Sequence, residues 1–223
     1  MSARNDLGRD EIGKLVLRIA LPSMLAQFVS VLYSIVDRMY IGHIPGEGDA
    51  ALAGVGVCGP VVTMAGSVAF LIAVGGAPLM SMRMGEGRED EAARILSTCA
   101  RMLVAAAVLL MALVLPLRRP MLRLFGASEA TYPCAEAYFT VYMCGTLFAL
   151  LSTGLNQFII AQGFARTGML LVMLGAALNI ALDPVFIFLL GATVGIATLI
   201  TGFCIGPVVT AVGARIQGFF EDV

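Results

Sequence analysis

Charge is what this sequence has least of. Only 13% of its 223 residues are Asp, Glu, Lys or Arg, against 59% that are apolar, and the mean hydropathy is +0.93. A water-soluble domain of this length could not cover its surface with so few polar side chains, so a soluble fold is excluded. The formal net charge of −1 leaves no basic stripe to neutralise phosphates, which argues against a nucleic-acid partner. Histidine occurs once, as His43, without a second His or Cys at ligand spacing, which argues against a zinc-type centre. The five cysteines (Cys58, Cys99, Cys134, Cys144 and Cys204) are odd in number and widely spaced. They offer neither a CxxC pair nor a disulfide framework and read as small apolar packing residues. A cleavable leader is also not expected. Residues 1–14 are polar, and the apolar block after them runs on without a small-residue cleavage site, so the first helix should serve as its own insertion signal.

What the chain does have is long apolar blocks. A bilayer is spanned by about 20 apolar residues, or more where the helix tilts. Six segments qualify, at about 15–41, 50–79, 92–116, 132–161, 168–190 and 192–213. Short polar gaps such as HIPGEGD, RMGEGREDEAAR, LRRPMLRLFGASEATYP and GFARTG separate them. The expected fold is therefore all-α, a polytopic membrane protein of six transmembrane helices. With six spans both termini share a side. That side collects ten of the basic residues, whereas Arg38, Arg118, Arg119 and Arg123 fall on the other. The excess places both termini in the cytoplasm of a bacterial-type plasma (inner) membrane.

Polar residues inside the spans carry the functional information. Of fifteen acidic residues, eleven fall in tails or polar gaps, Glu129 and Glu136 frame the start of the fourth span, and two remain. Asp37 stands late in the first span, in SVLYSIVDRMYIG, and Asp183 within the fifth, in LGAALNIALDPVFIFLL. A charge at the centre of a membrane helix costs about 2.5–3.5 kcal/mol even on an insertion scale, so such residues mark ion or proton pathways. Asn179 precedes Asp183 by one helical turn and shares its face. Pro184 removes an N–H and frees the carbonyl of Ile180. One turn then offers an amide, a carboxylate and a carbonyl oxygen, a set that suits a hard cation or a proton. The alternative role for Asn179 and Asp183 is hydrogen bonding to a neighbouring helix. Gln27, Ser30, Ser34, Tyr138, Tyr142, Asn156 and Gln157 are the other polar residues within spans; Asn156 and Gln157 are the best placed to line a site. The thirteen methionines suit adaptable apolar lining or packing.

At these residues the chain resembles the MATE (multidrug and toxin extrusion) family of secondary transporters. The similarity runs through LVLRIALPSMLAQFVSVLYSIVDRMYIGHI, ALAGVGVCGPV, GGAPLMSMRMGEGREDEAARIL and MLRLFGASEATYPCAEAYFTVYMCG. It is most specific in LNQFIIAQGFARTGMLLVMLGAALNIALDPVFIF. The resemblance implies that residues 15–190 form helices 1–5 of an amino-terminal lobe, after a cytoplasmic segment 1–14. Residues 191–223 are an atypical sixth helix and tail. It implies a cation or proton site at Asp37, Asn179 and Asp183, with Na⁺ held there where Na⁺ is the coupling ion. Thr198 matches a further site threonine by its Ala-Thr context, and Thr201 matches one by its distance from Asp183. The implied activity is Na⁺- or H⁺-coupled antiport of amphiphilic, often cationic, drug-like compounds, without a further cofactor. Family members carry two such lobes and this sequence supplies one. A second six-helix lobe, from another copy or a separate chain, is therefore an expected partner beside the lipid bilayer. A non-transporting half-lobe is the alternative. An enzyme is not expected. Two membrane aspartates could form a protease dyad, but the Val-Asp and Ala-Leu-Asp-Pro contexts lack the sequences such proteases show.

Overall fold

A computed structural model of the chain describes residues 12–44, 46 and 48–184. Among them are six helices and no strand: α1 (Ile12–Gly42), α2 (Gly48–Gly85), α3 (Glu89–Val114), α4 (Arg118–Leu124), α5 (Tyr132–Ala161) and α6 (Ala165–Pro184). Four contain stretches long and apolar enough to cross a membrane: Ala20–Gly42, Gly48–Gly85, Glu89–Val114 and Tyr132–Ala161. Within α6 the apolar stretch is the shorter Ala165–Ala181. Five of the six expected spans thus coincide with α1, α2, α3, α5 and α6; the sixth, 192–213, lies outside the described residues.

Two local features depart from expectation. Helix α2 continues past residue 79 to Gly85, giving a rod of about 57 Å that outruns a bilayer core of about 30 Å. Its last turn, with Arg83, therefore stands in or beyond the interface. The gap after α3 is also not a plain loop but holds α4, whose Leu122 is fully buried against Cys58, Val61, Val114 and Phe139. Pro120 is tolerated because it falls in the first turn, where no intrahelical N–H bond is lost. Sequence alone leaves Glu136 at the membrane interface. In the structure its carboxylate accepts a hydrogen bond from Arg118 Nε at 3.0 Å and lies 3.9 Å from Arg119, so it ties α4 to the start of α5.

The spine of the bundle is α2. Cys58, Val61, Ala65, Ala69, Ala73, Ala77 and Met80 are all buried and recur every three or four residues, which puts them on one face. In lipid no hydrophobic drive favours helix association, so close approach of small residues carries the packing. Phe139, Met143, Leu150 and Phe158 of α5 and Cys99, Leu103 and Ala107 of α3 close over this face. Gly54 lies so near α5 that a Cβ there would stand 2.9 Å from the backbone N of Ala135.

Contacts at both ends fix the helix directions. The start of α2 meets the start of α5, where Cys58 Sγ lies 3.6 Å from Ala135 O. The end of α2 meets the end of α5, where Ser81 Oγ lies 2.9 Å from Ala161 O. Helices α2 and α5 are therefore parallel. The α1–α2 and α5–α6 turns reverse direction, so α1 and α6, which pack along each other, also run parallel and finish at the same end. At the other end Gly87 (φ +74°) and Gly163 (φ +88°) adopt the left-handed conformation that closes α2 and α5. Arg83 and Arg88 pair with Glu86 and Glu91 across the α2–α3 turn. The hydrogen bond from Arg83 holds the Glu86 carboxyl below its ordinary range.

Substituting Gly54→Ala should push against backbone that cannot rotate away and destabilise the protein by about 1–3 kcal/mol. Gly66→Ala, where a Cβ meets nothing within 4 Å, should be neutral. Thermal unfolding of both variants in the same detergent checks the pair, and equal midpoints would contradict the close α2–α5 contact.

Candidate functional site

The end at which α1 and α6 both finish gathers the polar residues of most interest. Asp37 sits little more than one turn before the end of α1 and is half-buried. It shares a helical face with Tyr33 and Ile41, and Ile41 is completely buried with Ala51. The same cluster takes in Val55 of α2 and Tyr138 of α5, so the corner between α1 and α2 is held against α5. Tyr138 lies within electrostatic range of Asp37, Tyr33, Tyr142 and Cys58, and its ring stacks on Tyr142 with centroids 6.0 Å apart. One turn of α5 therefore presents a stacked pair of phenols, of which Tyr138 lies within electrostatic range of the α1 carboxylate.

Helix α6 brings the other part of the set. Asn179 is half-buried, and its Oδ1 is a buried acceptor with no hydrogen-bond partner. A buried unsatisfied amide oxygen costs about 1–3 kcal/mol. An orphan of this kind suits a donor or cation not supplied by the protein. Asp183 and Pro184 follow in the last turn of α6, at the end where Asp37 stands. The parallel course of α1 and α6 thus brings Asp37, Asn179 and Asp183 to one end of the bundle.

Asn156 goes elsewhere. Its Oδ1 is also a buried, unpartnered acceptor, but a Cβ on Gly168 would lie 3.0 Å from it. That places it against the start of α6, about 16 Å of helix from Asn179. Gln157 is half-buried on the same turn of α5 and belongs to that deeper level too. Thr198 and Thr201 lie outside the described residues. Among the described residues no three His, Cys, Asp or Glu side chains converge as a metal cluster. A cation held here would accordingly use amide and carbonyl oxygens with the carboxylates, as hard monovalent ions allow.

Two open grooves flank the outer face of α1. One of about 550 Å³ lies between α1 and α2 and is lined by Ile35, Arg38, Met39, Asp49 and Leu52 among others. A second, of about 330 Å³, is lined by Gln27, Ser30, Tyr33, Ser34 and Arg38. Arg38 contributes to both, and Asp37 and Asn179 to neither. Of the span residues, Tyr138 is the one whose neighbourhood the sequence did not reveal. Its signal was its spacing of one turn from Tyr142, at the start of a helix that begins at Asp37's end.

Comparison with known proteins bears on the family and the fold. The chain is 27% identical to the FAD transporter of Shewanella oneidensis over 192 residues, 86% of this chain and 42% of that protein. It is 23% identical to the multidrug export protein MepA of Staphylococcus aureus over 208 residues, 93% of this chain and 44% of that protein. Among solved structures, an MOP-superfamily transporter from Pyrococcus furiosus superposes with a TM-score of 0.83 at 26% identity, over 90% of this chain and 44% of the other. An outward-facing multidrug resistance MATE family transporter gives a TM-score of 0.83 at 26% identity over 90% of this chain and 45% of the other. The chain thus spans about half the length of the relatives it matches. The MatE family profile matches residues 22–185, from Pro22 of α1 to the end of α6, and the chain belongs to the MatE family.

Proposed function

We propose that this chain forms the cation-coupled lobe of an efflux antiporter, in which Na⁺ or H⁺ binding at Asp37, Asn179 and Asp183 drives export of amphiphilic, often cationic, compounds. The observation that carries the reading is the convergence of α1 and α6. It sets a half-buried carboxylate, an unpartnered amide oxygen and a second aspartate at one end of adjacent helices. Cation binding neutralises charge there, and it shifts the balance between inward- and outward-open states if it binds the two unequally. Tyr138 carries a phenol within electrostatic range of the Asp37 carboxylate, so its dipole would act on how tightly a cation or proton is held there. A second six-helix lobe, from another copy or a separate chain, would complete the substrate cavity. The termini would lie in the cytoplasm of a bacterial-type inner membrane.

The test is dye efflux from vesicles containing the full chain, driven by an imposed Na⁺ or H⁺ gradient. Asp37→Asn and Asp183→Asn should each reduce gradient-dependent transport by about tenfold or more, within the range of ordinary coupling energies. Undiminished transport in both would remove the proposed coupling role. FAD is a second cargo worth loading, given the relative of that name. The second reading is a half-lobe inactive without a separate partner chain; the chain covers 42% and 44% of the two relatives named. Native mass measurement separates the two: an active homodimer contradicts it, and a stable monomer without transport supports it.

Tyr138→Phe keeps the stacked ring and removes one hydroxyl. It should change the cation concentration for half-maximal transport by about fivefold, as loss of one polar group worth ~1 kcal/mol does, with unfolding temperature unchanged. A wild-type cation response would place Tyr138 in packing alone.

A further inference from the structure

We propose that the exposed face of α3 between Arg94 and Arg101 binds the phosphate of an anionic membrane lipid. Arg94, Ser97, Thr98 and Arg101 are all exposed and follow one another at three- and four-residue spacing, which lines them up on one side of the helix. The next residues on that side, Ala105, Val108 and Ala112, are equally exposed and apolar. One face thus changes from basic and hydroxylated to aliphatic at Arg101, as a surface does where headgroups give way to acyl chains.

Depth supports the same boundary. About 20 Å of α3 separates Arg101 from Val114, and the short turn to Arg118 adds little, so the two arginines stand closer than the ~30 Å thickness of the hydrocarbon core. The Cα of Arg101 therefore sits at or just within that core, and its side chain must reach back to a headgroup. It does so in the structure. Arg101 Nε donates to Ser97 O at 3.3 Å and Nη2 donates to Thr98 Oγ1 at 3.4 Å, both one turn nearer the α2–α3 turn. These bonds aim the guanidinium at the interface and occupy two of its five donors. Three donors remain, enough for a phosphate to accept two of them in parallel. Thr98 accepts from Arg101 and has its own proton left to donate.

The surrounding charges leave these two arginines available. Arg83 and Arg88 are taken up by Glu86 and Glu91. Among the described residues neither Arg94 nor Arg101 has a carboxylate within ion-pair distance. Glu89 and Asp90 lie in the first turn of α3, beyond Arg94 on the aqueous side. A lipid, and not a free anion, is the occupant because the basic stripe continues directly into an aliphatic one that needs acyl chains beside it.

Native mass spectrometry of the detergent-purified full chain tests the site, with phosphatidylglycerol and phosphatidylcholine supplied equally. Phosphatidylglycerol should be retained in preference. Arg101→Gln should cut that retention about fivefold, as loss of one interfacial arginine does, and adding Arg94→Gln should remove the preference. Ser97→Glu, which keeps both arginines and adds a competing carboxylate, should act like the double variant and decides the matter if the latter fails to fold. Arg119→Gln, at the opposite end, should change nothing. Equal retention of both lipids, or an undiminished preference in Ser97→Glu, overturns the proposal. Displacement of phosphatidylglycerol by inorganic phosphate alone overturns the lipid assignment.

Discussion

Hydrocarbon offers no hydrogen-bond partner, and nearly everything in this molecule follows from that. Backbone groups must be satisfied within their own segment, so the described spans are helices. Hydroxyls obey the same rule. Ser34, Thr63, Ser67, Thr140 and Thr146 each donate to the carbonyl four residues before, which uses their one proton and leaves only acceptor lone pairs. Charged groups are either brought to an end of the bundle or paired there, as Glu136 is with Arg118. Against that background an unpartnered amide oxygen such as Asn179 Oδ1 is a local debt that the rest of the fold has not settled.

Packing explains why the debt persists. Alanines at four-residue intervals on α2 let α3 and α5 approach closely, and the fit is tight enough that Gly154 leaves room only for Leu103. A bundle clamped along α2 holds the start of α5 in place, and Tyr138 with it, against the corner between α1 and α2. The geometry around Asp37 is therefore set by contacts among residues that carry no charge. Substitutions far from the carboxylates act on the site through this clamp.

The spans were legible because twenty-residue apolar runs have few alternative readings, and Asp37, Asn179 and Asp183 because each is expensive where it stands. Helix α4 was not, since seven residues are too few for a period to show, and its one fully buried residue, Leu122, is recognisable only once α2 and α5 surround it. Asn156 was grouped with the site because sequence gives position along a helix but not depth relative to another helix. Its contact with Gly168 shows how far the two levels differ. Tyr138 was hidden for the opposite reason: a tyrosine near a helix end is ordinary at a membrane interface, and only its packing against the corner between α1 and α2 brings this one near Asp37.

Charge balance then bears on how the proposed site would work. Asp37 and Arg38 are adjacent in sequence but point about 100° apart around α1. The aspartate turns toward Tyr138, and the arginine lines both outer grooves. Arg38 is close enough to act on Asp37 electrostatically, so it partly compensates one carboxylate without occupying its ligand positions. Among Asp37, Asp183 and Arg38 alone, one negative charge remains when both aspartates are ionised, and a single monovalent cation or proton neutralises it. Binding a second would again leave a net charge in a region where charge is costly. On the proposed reading, that asymmetry favours one monovalent cation or proton at the site at a time.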